Sequence, residues 1–197
     1  MPSSRKQDMI EAALTVIKQQ GFAGSTSRAI AREGGFNQAL IYYHYRGVNE
    51  LLLAALDASS ERRLKRYREA VETCTNPAEL ILVAARLYRE DLEDGHITVL
   101  SEMIAGSLAH HELRAEMIHR MEPWIDFAEE QIEKIVLADS PFGSLLPPRP
   151  MATAVVALYL GIDLLGHLDE KDGRVDEMFN SAEAVAQLVA PLVGSQS

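Results

Sequence analysis

Between Phe36 and Tyr45 the chain reads FNQALIYYHY, a set of side chains suited to contact with a polyanion that also carries hydrogen-bonding edges. A glutamine such as Gln38 can grip an adenine edge through two hydrogen bonds, while tyrosine hydroxyls and a histidine can reach phosphate oxygens. If the stretch is helical, Ile41 and Tyr45 lie four apart and share one face. Gln38, Ala39, Tyr42, Tyr43 and His44 then lie on the other side.

The flanking residues supply the elements that would position this set. Ser25 or Thr26 can cap a short helix with a hydroxyl, and that helix carries Ala29, Ile30 and Glu33 before Gly34-Gly35 ends it. Asn37 caps a second helix over Gln38–Tyr45. Two helices joined by a short glycine-containing turn form a helix-turn-helix, whose second helix can enter a DNA major groove. The same spacing also fits an ordinary helical hairpin with core aromatics, and spacing alone does not choose. Upstream, Ile10, Ala13, Leu14 and Ile17 fall at i, i+3, i+4 and i+7, which predicts an amphipathic helix over Arg5–Gln20 closed by Gly21. The three helices make a head whose expected core is Ile10, Leu14, Ile17, Phe22, Ile30, Phe36, Ile41 and Tyr45, with Phe22 beneath the motif.

The run Gly35-Phe36-Asn37-Gln38-Ala39-Leu40-Ile41-Tyr42-Tyr43-His44-Tyr45, followed by Asn49-Glu50-Leu51, resembles the recognition-helix signature of the TetR family of bacterial transcriptional regulators. Ile10-Glu11-Ala12-Ala13-Leu14, Gly21-Phe22, Thr26 and Ala29-Ile30-Ala31 stand at the same family's spacing. The resemblance covers roughly the first quarter of the chain. It implies an all-α homodimer: a helix-turn-helix domain over 1–48 and a helical effector-binding and dimerisation domain over 49–197, with about nine helices. It implies further that Gln38, Ala39 and Tyr43 face bases, with Leu40 against a thymine methyl. Thr26, Tyr42 and His44 would hold phosphates, and Arg28 a guanine or the backbone. Two positions depart from the family pattern: Val48 where a lysine is usual, and Leu40 where a small or hydroxylated residue is common.

Charge is divided along the chain. Residues 1–70 hold 11 Lys/Arg and 7 Asp/Glu, a net +4, whereas residues 71–197 hold 8 and 22, a net −14. A basic head and an acidic body keep phosphate attraction at one end. The run Glu61-Arg62-Arg63-Leu64-Lys65-Arg66-Tyr67-Arg68 on the expected fourth helix is either a solvated face or a source of long-range pull on DNA. The single cysteine, Cys74, excludes an internal disulfide framework and suits the cytoplasm. The polar N-terminus does not read as a secretory signal.

Beyond the head, helical patterns continue to the end. Asn76-Pro77-Ala78-Glu79 is a capped helix start. Helices follow over about 97–109 and 112–137, the latter interrupted by Pro123, which should kink it. Asp139–Pro150 reads as a loop. The helix over 150–168 is apolar nearly all round, so it should be buried on every side; Asp163 and His167 interrupt it, and it reads as a buried helix, not a membrane span. With a last helix opened by Asn180-Ser181-Ala182-Glu183, it is the expected subunit interface, a four-helix bundle across a two-fold axis.

Catalytic chemistry finds no support here. There is no phosphate-binding glycine loop and no nucleophile elbow, and His96, His110, His111 and His119 lack the spacing of a zinc set. No catalytic residue, metal site or cofactor is expected. Met103, Met117, Met121, Trp124, Phe127 and Tyr159 are the adaptable and aromatic groups of the body, with Glu102 and Asp163 as polar anchors. They describe either an effector pocket or ordinary core, and the family resemblance favours a pocket in this region. The resemblance thus implies a ligand-responsive repressor that binds a palindromic operator as a dimer. The alternative is a helical small-molecule-binding or adaptor protein with no DNA partner.

Overall fold

In a computed structural model the described residues are 5–137, 146–168, 177–182, 184 and 187. Among them every regular element is helical: α1 (Arg5–Gly24), α2 (Ser27–Glu33), α3 (Ala39–His44), α4 (Val48–Val71), α5 (Pro77–Glu93), α6 (His96–Leu108), α7 (His111–Gln131), a π-helical stretch (Ile132–Leu137) and α8 (Pro148–Leu168). Residues 177–182 are helical as well. The expected last helix over about 180–193 and the loop over 139–145 fall largely outside the described residues. None of the described helices is long and apolar enough to cross a membrane.

The chain forms two compact units, one of residues 1–64 and 92–120, the other of residues 65–91 and 121–197. In the first, α1 packs against α2 and α6. The face of α1 that does so carries Met9, Ala12, Ala13, Leu14, Val16 and Ile17, all buried. Its stripe centres on Met9, Ala13 and Val16, so the expected Ile10 is only half-buried. Ile30, Ile41, Leu51, Leu56, Ile97 and Met103 complete this core.

Helical dihedrals break at Gly21, whose φ of 69° is a left-handed value that L side chains avoid. A Cβ there would stand 2.7 Å from Glu102 Oε2. That carboxylate accepts the amide of Phe22 at 2.7 Å, and the Phe22 ring lies over Gly106, where a Cβ would come within 2.3 Å of ring carbons. Phe22 therefore packs on α6, not beneath the helix-turn-helix as the sequence suggested. Lys18 Nζ adds a third tie, donating to the Asp94 carbonyl at 2.7 Å.

The second unit is organised around two features. Asp91 on α5 has no exposed surface; it accepts Arg66 Nη2 at 2.6 Å, Tyr67 Oη at 2.7 Å and Tyr159 Oη at 3.1 Å. Arg149, at the start of α8, reaches Glu122, Asp126 and Glu129 on α7, and the bond to Asp126 is the chief cause of its raised pKa. Beside it Ile132, Leu137 and Ala152 form an apolar cluster with Ile125 and Met151.

Local signals performed well here. Asn76 Oδ1 accepts the amide of Glu79 at 3.0 Å while Glu79 Oε2 accepts that of Thr75 at 2.8 Å. The Thr75 amide holds the Glu79 carboxyl below its usual range. α7 continues as helix through Pro123. Helix α8 departs from expectation: Val155, Leu158, Leu164 and Leu165 are exposed on the single chain. Apolar periodicity shows that a helix wants cover on all sides, not that its own subunit supplies it.

Candidate nucleic-acid interface

Thr26 settles the choice of first cap. Its Oγ1 accepts the Ala29 amide at 3.2 Å, whereas Ser25 Oγ donates to the Gly21 carbonyl. The α2 backbone ends with the Gly34 amide on the Ile30 carbonyl and the Phe36 amide on that of Ala31, both at 3.0 Å. Gly35 makes the intervening turn with φ 64°, a conformation glycine adopts at no steric cost. Asn37 Oδ1 then accepts the Ala39 amide at 2.8 Å. The observed α3 is one residue shorter at each end than the predicted Gln38–Tyr45.

These turns fix which way α3 faces. Ile41 is fully buried, Tyr45 is buried too, and Tyr42 and Tyr43 are 59% and 81% exposed. Gln38 and Ala39 are exposed, while Leu40 and His44 are half-buried. The His44 ring meets Tyr43 edge-on at 4.8 Å between centroids. Tyr42 Oη makes a long hydrogen bond to Ser27 Oγ at 3.4 Å, which places its hydroxyl beside the first turn of α2, next to exposed Thr26 and Arg28. Tyr42 and Tyr43 thus point outward, and a hairpin with these aromatics in its core is not what the chain forms.

The charge run on α4 is spoken for. Arg62 pairs with Glu11 at 3.5 Å, Arg63 with Asp94 at 3.2 Å, Lys65 with Glu69 at 3.9 Å, and Arg66 with Asp91 at 2.6 Å. Arg68 pairs with Glu130. Each cation has a carboxylate of its own, so the run gives little net pull on a polyanion. Of the two readings left open for it, the solvated and locally compensated face is the one observed.

At the start of α4, Glu50 Oε2 accepts the Arg46 amide at 2.8 Å. This cap places a negative charge at a helix N-terminus that would otherwise suit a phosphate. Glu50→Gln keeps an acceptor oxygen and removes the charge, so it is expected to tighten duplex binding roughly two- to fivefold at low salt. Fluorescence anisotropy with a labelled duplex measures this, and an affinity equal to or weaker than wild type would contradict it.

The residues named for an effector fall in both compact units. Met103 is buried in the core of the first, and Glu102 there is engaged by Phe22. In the second, Tyr67 packs edge-on against Trp124 at 5.2 Å and Phe127 at 6.2 Å, and Tyr88 against Tyr159 at 5.4 Å. Met121 is half-buried there, and the Asp163 side chain lies outside the described set. Asp91 was missed, since one aspartate in an amphipathic helix gives no sign of burial. The signal lay in its being flanked by Tyr88 and matched to Arg66 and Tyr67. Among the histidines, His96 is buried with Nδ1 2.9 Å from Ser59 Oγ, and His110, His111 and His119 are exposed.

Residues 9–55, the span from α1 through the motif into α4, match the model of the bacterial regulatory proteins of the tetR family. The helix-turn-helix segment is thus similar to that of the tetR-family bacterial regulatory proteins. The HTH-type transcriptional repressor KstR2 of Mycolicibacterium smegmatis is 24% identical over 99 residues, 50% of this chain and 48% of that protein. The chain thus spans about half the length of that relative. A TetR-family regulator structure from Rhodococcus sp. aligns with a TM-score of 0.77 at 21% identity, covering 93% of this chain and 99% of the other. The fatty acid degradation regulator FadR of Bacillus halodurans aligns at 0.76 with 13% identity, covering 94% and 96%. At such identities the two structures speak for the fold alone.

Proposed function

We propose that the protein binds a roughly palindromic operator as a homodimer, represses transcription, and releases the DNA when a small molecule occupies its body. The observation that carries this reading is the outward face of α3. Gln38, Ala39, Tyr42 and Tyr43 are exposed on a helix anchored from behind by Ile41 and Tyr45. In each subunit Gln38, Ala39 and Tyr43 address base edges, with Leu40 against a thymine methyl. Thr26, Tyr42 and His44 take phosphates, and Arg28 takes a guanine or the backbone. The functional division falls at residues 48 and 49, with α4 linking the DNA-binding head to the effector-binding and dimerising body.

Dimerisation through α8 and the last helix is supported by the exposed apolar face of α8. Small residues Ala154 and Gly161 alternate there with Leu158 and Leu165, and a Cβ on Gly161 would meet nothing among the described residues within 4 Å. Of the residues expected to meet an effector, we assign that role to Met121, Trp124, Phe127 and Tyr159 of the second unit, since Met103 is in the core of the first and Glu102 is bonded to the Phe22 amide. An effector shifts the operator affinity only if it binds the two dimer geometries unequally. A cytoplasmic location follows from this function.

The test is binding to the duplex upstream of the protein's own gene at several salt concentrations. Counterion release makes affinity for a polyanion fall linearly on a log–log plot. Binding that is absent, or indifferent to salt, would favour the adaptor reading. A screen of small molecules for a raised melting temperature would identify the effector class, since a ligand selective for the folded state must stabilise it.

A further inference from the structure

We propose that Arg46, in the connection between α3 and α4, holds a backbone phosphate and supplies phosphate charge that the α4 run does not. The assignment rests on the DNA-binding reading above and adds to it a residue outside the α2–α3 contact set.

The first 70 residues carry the positive charge of the chain's basic end. Their 11 cations include the five on α4 (Arg62, Arg63, Lys65, Arg66 and Arg68), each with a carboxylate within 4 Å. Lys18 is spent on the Asp94 carbonyl. Arg5, Lys6, Arg28, Arg32 and Arg46 are exposed and have no ion pair or side-chain hydrogen bond among the described residues; Arg5 and Lys6 open α1, well before the motif in sequence. Arg28 already belongs to the contact set. Arg32 sits in the last turn of α2, where a cation is favoured by the helix dipole whatever else it does. Arg46 has no such structural role.

Its backbone, in contrast, is fixed from both sides. The preceding Tyr45 is buried and its amide donates to the Ile41 carbonyl at 2.8 Å. The Arg46 amide donates to Glu50 Oε2, and the Leu51 amide reaches the Gly47 carbonyl at 3.3 Å. Glu50, the acid nearest in sequence, thus spends its carboxylate on the Arg46 main chain and forms no ion pair with the guanidinium. With its backbone pinned three residues after the exposed Tyr42–Tyr43 pair, Arg46 has only its side chain left to order on meeting a phosphate. Val48 offers no charge two residues on, so Arg46 is the cation available at this end of α3.

The experiment uses the full chain and a duplex recovered by selection from a random-sequence pool. Affinity is measured from low to moderate salt for wild type, Arg46→Ala, Arg46→Lys and Lys65→Ala. Loss of one phosphate contact per head should make the log–log salt slope of Arg46→Ala shallower by about 1.8 per dimer, at about 0.9 for each contact. Arg46→Lys should restore the slope, because a phosphate needs only a point charge. Lys65→Ala, whose charge is already paired, should match wild type. Selection repeated with Arg46→Ala should recover the same sequence, since a phosphate contact carries no base information. An unchanged slope in Arg46→Ala, an equal loss in Lys65→Ala, or an altered recovered sequence overturns the assignment. A wild-type chain that enriches no duplex overturns the DNA-binding reading and the assignment together.

Discussion

Asp91→Ala is expected to lower the unfolding free energy by about 3 kcal/mol, seen as a fall in melting temperature of roughly 6–12 °C. The carboxylate is fully buried and accepts hydrogen bonds from Arg66, Tyr67 and Tyr159. Truncation leaves two hydroxyls and a guanidinium without the acceptor they were folded around, and orphaned polar groups cost more than the bonds contributed. Two facts keep the figure below the upper end for buried pairs. The Arg66 side chain is 37% exposed, and Glu90 lies 3.6 Å from its other nitrogen. Asp91→Asn keeps one acceptor oxygen without the charge and should lose about half as much. Denaturant unfolding followed by circular dichroism measures both, and a melting temperature within a degree of wild type for the alanine variant would contradict the account.

Tyr42→Ala is expected to weaken operator binding about a hundredfold per dimer without changing which sequence is preferred. A hydroxyl bonded to a charged phosphate contributes about 1.5 kcal/mol, which is about tenfold for each head. The side chain is 59% exposed and its one intramolecular hydrogen bond is long at 3.4 Å, so stability should move by less than about 0.5 kcal/mol. Gln38→Ala should behave in the opposite sense. It removes a bidentate base contact, with about 1–3 kcal/mol of discrimination at one position of each half-site, and relaxes the preference there. Binding-site selection with both variants tests the pair. Relaxed preference in Tyr42→Ala, or undiminished preference in Gln38→Ala, would exchange or remove their roles.

The head was legible because its signals are local. A hydroxyl at Thr26, a glycine pair at 34 and 35 and an asparagine at 37 act on amides two or three residues away, so their effect needs no tertiary information. The same holds for Asn76 and Glu79 at the start of α5. The errors lie where the partner is distant in sequence. Phe22 is 84 residues from Gly106, which receives its ring. Glu102 is 80 residues from the amide it accepts. A pattern of apolar spacing says that a face is buried and is silent about what buries it.

The sequence by itself determined that this chain is helical, where the two short helices within residues 25–45 are capped and stopped, and that the face carrying Ile41 and Tyr45 turns inward. Capping and helical periodicity act over a few residues, and they suffice for that. Only the tertiary structure decided where charges are spent: which arginines on α4 are answered by acids, and that Asp91 is sealed against Arg66, Tyr67 and Tyr159. Electrostatic pairing depends on distance in space and on burial. Neither quantity is written in the order of residues, since Asp91 and Tyr159 stand 68 positions apart.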